Sequence, residues 1–181
     1  YGAARGGDEP QVRRLLAGGA DPNEANQGFP ALWVAAEHGH VNVVRVLMEA
    51  GASLEATTPK GWTALLMAAQ NGHAGCVEAL LNGGANLEAT TAKGSTALIS
   101  AAEGGHADCV EALLKGGANP EATTNDGFTP LFAAAGNGHV DCVEALLKGG
   151  ANPEAAANDG FTALMLVAQK GHVGCVEALL K

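Results

Sequence analysis

Histidine and cysteine are the residues of this chain best suited to metal binding or nucleophilic chemistry, and they recur at a fixed interval. The sequence holds six histidines and four cysteines. Most of them are spaced 33 residues apart: His40, His73, His106, His139 and His172, and Cys76, Cys109, Cys142 and Cys175. Zinc needs its ligands about 2.0–2.3 Å from one ion, and a disulfide needs Cα atoms within about 7 Å. Stacked helical units place equivalent residues about 8–10 Å apart. We therefore interpret both sets as structural, with the cysteines as buried free thiols, and predict neither a metal site nor a cofactor.

His38 lies outside this series, two residues before His40. A surface site made by these two histidines and an ordinary side chain at a variable position both fit, and we favour the second interpretation.

Nothing else in the sequence has the pattern of a catalytic site. There is no Gly-x-Ser-x-Gly motif, no phosphate-binding loop and no pair of carboxylates outside the repeating pattern. Four glutamates also recur every 33 residues, at Glu78, Glu111, Glu144 and Glu177. We interpret them as a solvated helix face, on which Glu144 and Lys148 are spaced to form an ion pair. We predict that the chain is not an enzyme.

Composition and charge limit the class of partner. The chain has 181 residues, a formal net charge of −9 and 4% aromatic residues. An acidic chain repels phosphate backbones, so nucleic acid is not expected, and a partner steered by charge would be basic. No apolar run of 18 residues occurs, so we expect no membrane segment. We expect an intracellular monomer, cytoplasmic or nuclear.

One 33-residue unit, taken as residues 127–159, predicts two short helices and a turn. Thr129-Pro130 is typical of a helix N-terminus, with threonine at the N-cap and proline at the first helical position, and Gly138 is typical of the residue that follows a helix. The first helix carries Leu131, Ala134 and Ala135 on one face, and the second carries Cys142, Val143, Leu146 and Leu147. Helices of this length are marginal alone in water, so the units must stack to bury these faces.

The repeated residues resemble the ankyrin repeat. The resemblance rests on segments with counterparts along the chain: Gly127-Phe128-Thr129-Pro130-Leu131, Ala134-Ala135, Gly138-His139, Cys142-Val143, Leu146-Leu147 and Gly150-Ala151-Asn152. It implies a mainly α repeat solenoid, a stack of helix–turn–helix units with projecting β-hairpin loops. We expect a single array of about six units: 1–27 (partial), 28–60, 61–93, 94–126, 127–159 and 160–181 (partial).

The chain departs from the family's pattern in three ways. Apolar residues stand where the family usually has a histidine in its first helix, and we interpret them as core: Trp33, Leu66, Ile99, Phe132 and Met165. The hairpin asparagine survives as Asn23 and is glutamate at the other positions: Glu55, Glu88, Glu121 and Glu154. Neither end has the pattern of a polar capping repeat.

A second row, directly after the turn glycine, consists of Phe29, Trp62, Ser95, Phe128 and Phe161. By resemblance to the family, this position faces a concave groove. The aromatic rings could be anchors for a partner or could pack against the next hairpin, and the sequence leaves both interpretations open. Ser95 would then form a notch in the row, suited to a protruding partner side chain.

The resemblance implies a non-catalytic scaffold that binds a protein or peptide through this groove. The alternative is a substrate-recruiting or spacer arm of a larger multidomain enzyme or channel. The predicted partner-binding residues are Phe29, Glu37, His38, Lys60, Trp62, Gln70, Asn71, Lys93, Ser95, Glu103, Asn125, Asp126, Phe128, Asn137, Asn158, Asp159, Phe161, Gln169 and Lys170.

Overall fold

A computed structural model describes all 181 residues, and its helices form six consecutive pairs. The helices are α1 Gly2–Arg5, α2 Glu9–Ala17, α3 Ala31–Glu37, α4 Val41–Glu49, α5 Ala64–Gln70, α6 Ala74–Asn82, α7 Ala97–Gly104, α8 Ala107–Lys115, α9 Pro130–Gly136, α10 Val140–Lys148, α11 Ala163–Lys170 and α12 Val173–Leu179. The odd-numbered helix of each pair is called the first helix below, and the even-numbered one the second helix.

The pairs stack on one another in chain order. Each first helix contacts the next first helix, and each second helix contacts the next second helix. A single hydrophobic cluster of 41 buried residues runs through the stack. Since no helix exceeds nine residues, and isolated helices shorter than about 12–15 residues are marginal in water, this shared core stabilises the helices. The predicted solenoid is confirmed.

Four of the first helices have a threonine at the N-cap, where its hydroxyl caps the helix. The Oγ1 atoms of Thr63, Thr96, Thr129 and Thr162 accept hydrogen bonds from the backbone N–H three residues later, at 3.3, 3.3, 3.1 and 3.4 Å. Each bond satisfies one of the free donors that a helix start leaves unpaired. The start predicted at Thr129-Pro130 is confirmed.

Four of the five repeated histidines bond to the helix pair before their own, whereas in the last pair Lys170 bonds to the equivalent carbonyl, that of Gly136. Nε2 of His73 lies 3.0 Å from the carbonyl oxygen of Glu37, at the end of α3. His40, His106 and His139 make the equivalent contact at 2.9, 3.0 and 3.1 Å. The ring also lies against a glycine of the preceding pair: a Cβ at Gly72, where φ is +75°, would be 2.5 Å from Nδ1 of His106. The structural interpretation of the histidines therefore has a specific cause, the free carbonyl at the end of each first helix.

The glutamates of the loops make a second set of bonds between pairs. Oε1 of Glu55, Glu88 and Glu121 accepts the backbone N–H of Asn86, Asn119 and Asn152, at 2.8, 3.0 and 2.8 Å. In the first loop, Oδ1 of Asn23 accepts the N–H of Ser53 at 2.7 Å. Three of the four glutamates that replace the family's asparagine thus keep the bond to the next loop that Asn23 makes, and Glu154 does not.

The projecting hairpins are less regular than the sequence predicts. Only the first forms two strands, β1 Ala25–Asn26 and β2 Phe29–Pro30, which are antiparallel. The last has an isolated bridge between Ala156 and Thr162. The others are tight turns, closed by backbone bonds such as Thr91 N–H to the Ser95 carbonyl at 3.0 Å.

The apolar row in the first helices is core at four positions and not at the fifth. Trp33, Leu66, Ile99 and Phe132 are at most 8% exposed, as predicted. Met165 is 55% exposed, so the prediction of a core residue is wrong there. Its helix, α11, belongs to the last pair, and no further first helix packs over it.

Both ends of the stack expose apolar side chains, although α2 carries two polar residues where α4 has buried valines. The buried Val43 and Val46 of α4 correspond to Gln11 and Arg14 in α2, whose side chains bond to each other at 3.3 Å. The same helix nevertheless leaves Leu15 44% exposed, and the last pair leaves Val173 66% exposed. The absence of a polar capping repeat at either end therefore stays a prediction.

The ion pair predicted within α10 is replaced by one between pairs. Glu144 bonds to Nζ of Lys181 at 2.9 Å, and Lys148 is in no ion pair. Both partners are exposed, so the contact contributes little stability.

The four cysteines are buried and unpaired, as predicted, and this makes their reactivity a test of the stack. Burial raises the pKa of Cys76 and Cys142 to about 11, and burial together with Asp108 raises that of Cys109 to about 12. At pH 8 about one thiol in a thousand is ionised when its pKa is about 11, and fewer when it is about 12, and the thiolate is the reactive form. Titration with a thiol reagent should be slow in the native protein and complete with four equivalents on unfolding. Four rapidly reacting thiols in the native protein would contradict the stacked core.

Glu88 and Glu154 occupy equivalent positions, but only Glu88 bonds to the next loop, so we expect their replacement to affect stability differently. Glu88→Ala removes the acceptor of the Asn119 N–H, whereas Glu154, in the last loop, accepts no such bond. We expect Glu88→Ala to lower the free energy of unfolding by about 1 kcal/mol in denaturant titration. Glu154→Ala removes the same charge and serves as the control, with a change close to zero. Equal losses in both variants would show that the bond between loops contributes nothing.

Candidate functional site

The predicted partner-binding residues share one side of the stack. They lie in the loops before the first helices or at the ends of those helices. We call this surface the groove: the loops that precede α3, α5, α7, α9 and α11, together with the outward side of these five helices. Its binding role is a prediction, and the contacts below describe what each residue does within the chain.

The aromatic row packs within the chain and keeps part of its surface exposed. Phe128 stacks on Phe132 with ring centroids 4.7 Å apart and planes 12° apart, and Phe29 lies 5.1 Å from Trp33. Trp62 is partly buried against the core, and Phe161 is 40% exposed. The rings therefore support the first helices, and their exposed edges remain available to a partner.

Several polar residues of the groove already bond to the preceding pair. The Nδ2 atoms of Asn71, Asn125 and Asn158 donate to the carbonyls of Glu37, Ala92 and Asn125 at 3.0, 3.1 and 3.0 Å. Asn137 donates to the Ala133 carbonyl at 3.0 Å. These amides hold neighbouring pairs and helix ends in place, so a partner would meet them as a fixed surface.

The two-histidine site has no support in the geometry. His38 and His40 stack with centroids 5.9 Å apart. One nitrogen of each ring lies against a backbone carbonyl, Nδ1 of His38 at 3.0 Å from Val34 and Nε2 of His40 at 2.9 Å from Arg5. His38 thus bonds to its own helix, and its role at a variable surface position stays a prediction.

An open pocket of about 290 Å³ lies in the groove beside Ser95. It spans the loops before α7 and α9 and the helices α7, α9 and α11. Seven of the predicted binding residues line it: Lys93, Ser95, Glu103, Asp126, Phe128, Asn137 and Lys170. Trp62 does not. The notch predicted at Ser95 therefore exists, with Phe128 on its wall, while Trp62 lies outside it.

Three small residues line the pocket. Ser95 stands where the other loops carry an aromatic ring, and Gly136 stands where the other first helices carry Glu37, Gln70, Glu103 and Gln169. Ala133 corresponds to Val34, Met67, Ser100 and Leu166. The sequence interpretation missed six pocket residues: Ala133, Gly136, Leu166, Ile99, Thr124 and Phe132. The signal that could have found the first two is a small side chain at a position that is larger in most other units.

The charges around the pocket are only partly paired. Nζ of Lys170 donates to the carbonyl of Gly136 at 2.7 Å. The side chains of Lys93, Glu103 and Asp126 make no hydrogen bond or ion pair, and all three are exposed. The rim thus offers two free carboxylates and one free ammonium group to a partner.

No group of three or more His, Cys, Asp or Glu side chains is placed to hold a metal ion. No helix is long and apolar enough to cross a membrane.

Comparison with known proteins agrees with the geometry of the stack. A search of the curated proteins finds no match. The family model for ankyrin repeats (three copies) matches residues 1–91, 51–124, 84–157 and 116–181, which together span the chain. Proteins built from these repeats generally act as protein–protein interaction modules. The matched ranges and the six stacked helix pairs lead to one conclusion: the chain belongs to the ankyrin repeat family.

Proposed function

We propose that this chain is a non-catalytic scaffold that binds a protein or peptide partner through the groove, with the pocket beside Ser95 as the centre of the contact. The observation that carries the proposal is the pocket itself, which brings together seven of the residues predicted to bind a partner. Small-molecule sites usually have volumes of about 300–1,000 Å³ and bury most of the ligand. At about 290 Å³ this pocket lies at the lower end of that range, and it is open to solvent, so a side chain of a larger partner can enter it.

The surroundings of the pocket have the composition of a protein contact. Phe128 and Phe132 give it an aromatic wall, and Lys93, Glu103 and Asp126 give it a charged rim. An apolar centre surrounded by polar groups is typical of binding hot spots. The hydrogen bonds of Asn125 and Asn158 fix the loops on its edge, so little ordering is required on binding.

Filling the pocket is the direct test of this proposal. Trp62 occupies the position of Ser95 one unit earlier, so Ser95→Trp is a change that the fold should tolerate. We expect it to weaken a partner captured with the wild-type chain about tenfold or more in calorimetric titration, with little change in melting temperature. Glu111→Trp, which puts the same ring on the exposed side of α8, should leave affinity unchanged. Unchanged affinity for Ser95→Trp would place the contact elsewhere.

Trp62→Ala separates the two interpretations of the aromatic row. Its ring is partly exposed beside the groove and partly packed on the core. If it anchors a partner, the loss of affinity should be about 2 kcal/mol or more, with a small change in melting temperature, and Glu111→Ala on the second helices should have no effect. A large fall in melting temperature with unchanged affinity would mean that the row is a structural spine.

A further inference from the structure

The walls of the pocket beside Ser95 suit a long side chain with an apolar stem. Phe128 and Phe132 are stacked with their planes 12° apart, and Ile99 and Leu166 line the same space. The pocket is about 290 Å³ in volume and open on one side. It can therefore take one large side chain that enters from a chain lying across the groove.

The rim of the pocket carries two carboxylates that accept no hydrogen bond from within the chain. Glu103 and Asp126 line the pocket, and neither carboxylate has an ion pair or a hydrogen bond. Two ammonium groups also lie on the rim. That of Lys170 is bonded to the Gly136 carbonyl, and that of Lys93 is free and exposed. The two carboxylates and two ammonium groups of the rim thus sum to a formal charge of zero. A partner would therefore be recognised through hydrogen bonds to the two unpaired carboxylates rather than through a net electrostatic potential.

Arginine matches this combination better than lysine or leucine. Its guanidinium group has five donors in one plane, so it can bond to two carboxylates at once. The same plane can stack on an aromatic ring such as Phe128, while the methylene stem lies along apolar walls. A leucine side chain has no donor and would leave both carboxylates without a hydrogen bond. The net charge of −9 also favours the approach of a basic segment.

We propose that the pocket receives an arginine side chain of the partner, with its guanidinium group on Glu103 and Asp126 and its stem against Phe128. This inference rests on the proposed function, since it names the chemistry of the partner at the same site. The two side chains that would recognise the arginine are those of Glu103 and Asp126. Neither makes a hydrogen bond or an ion pair within the chain, so replacing them should leave the fold intact.

The probe is a set of three blocked pentapeptides, Ala-Ala-X-Ala-Ala, with arginine, citrulline or leucine at X. Citrulline has the shape of arginine without its charge. Backbone amide shifts of the isotope-labelled chain report binding at Ser95, Ala133 and Gly136. We expect saturable shifts with the arginine peptide, and binding about tenfold weaker with the citrulline peptide.

Two double variants separate local recognition from general attraction. Glu103→Gln/Asp126→Asn removes both rim carboxylates and should abolish the preference for arginine, with an unchanged melting temperature. Glu78→Gln/Glu111→Gln removes the same charge from exposed positions on α6 and α8 and should keep the preference.

The outcomes distinguish this inference from the proposal on which it rests. Equal binding of the three peptides at the pocket would overturn the arginine assignment and leave the groove as the binding surface. An equal loss of preference in both double variants would also overturn it, because the attraction would then be long-range. Shifts confined to the second helices, with none at Ser95, Ala133 or Gly136, would contradict both proposals.

Discussion

The burial of each helix pair against the next is the interaction on which this molecule depends. Helices of four to nine residues are too short to be stable alone, and their apolar faces become a core only when the pairs are stacked. The exposure of Met165 in the last pair, against 8% for Phe132 one pair earlier, shows how directly burial depends on a following neighbour. Two sets of polar contacts then fix the spacing of the pairs: histidine to the end of the preceding first helix, and glutamate to the following loop.

Because the units repeat, the groove is nearly uniform along the stack, and the pocket beside Ser95 is a local exception. Every first helix and its loop present the same positions to the groove, so a side chain that differs in size changes the surface locally and leaves the stack intact. Ser95, Ala133 and Gly136 come together in space because the 33-residue period places neighbouring units side by side. Ser95 and Ala133 thus put small side chains on the wall of the pocket, whereas the space beside Gly136 is occupied by Leu166.

Much of the fold could be predicted from the sequence because its determinants are local or periodic. The threonine caps, the glycine ends and the buried cysteines follow from one unit and its copies. The bond from Glu88 to the next loop could not be predicted, because it depends on the distance between two exposed loops. The pairing of Glu144 with Lys181 instead of Lys148 has the same origin, since side chains in different pairs compete with those four residues away. In the site, the notch at Ser95 was visible as a break in a row, whereas the contribution of Leu166 from the next unit could not be predicted, because it depends on how α11 packs beside α9.

A crystal structure of the chain with a bound partner would test the central claim, that the groove and its pocket are the binding surface, more directly than any variant. The account predicts a partner side chain between Ser95, Phe128 and Gly136, close to the carboxylates of Glu103 and Asp126. A partner that contacts only the second helices, with the pocket left open, would contradict it.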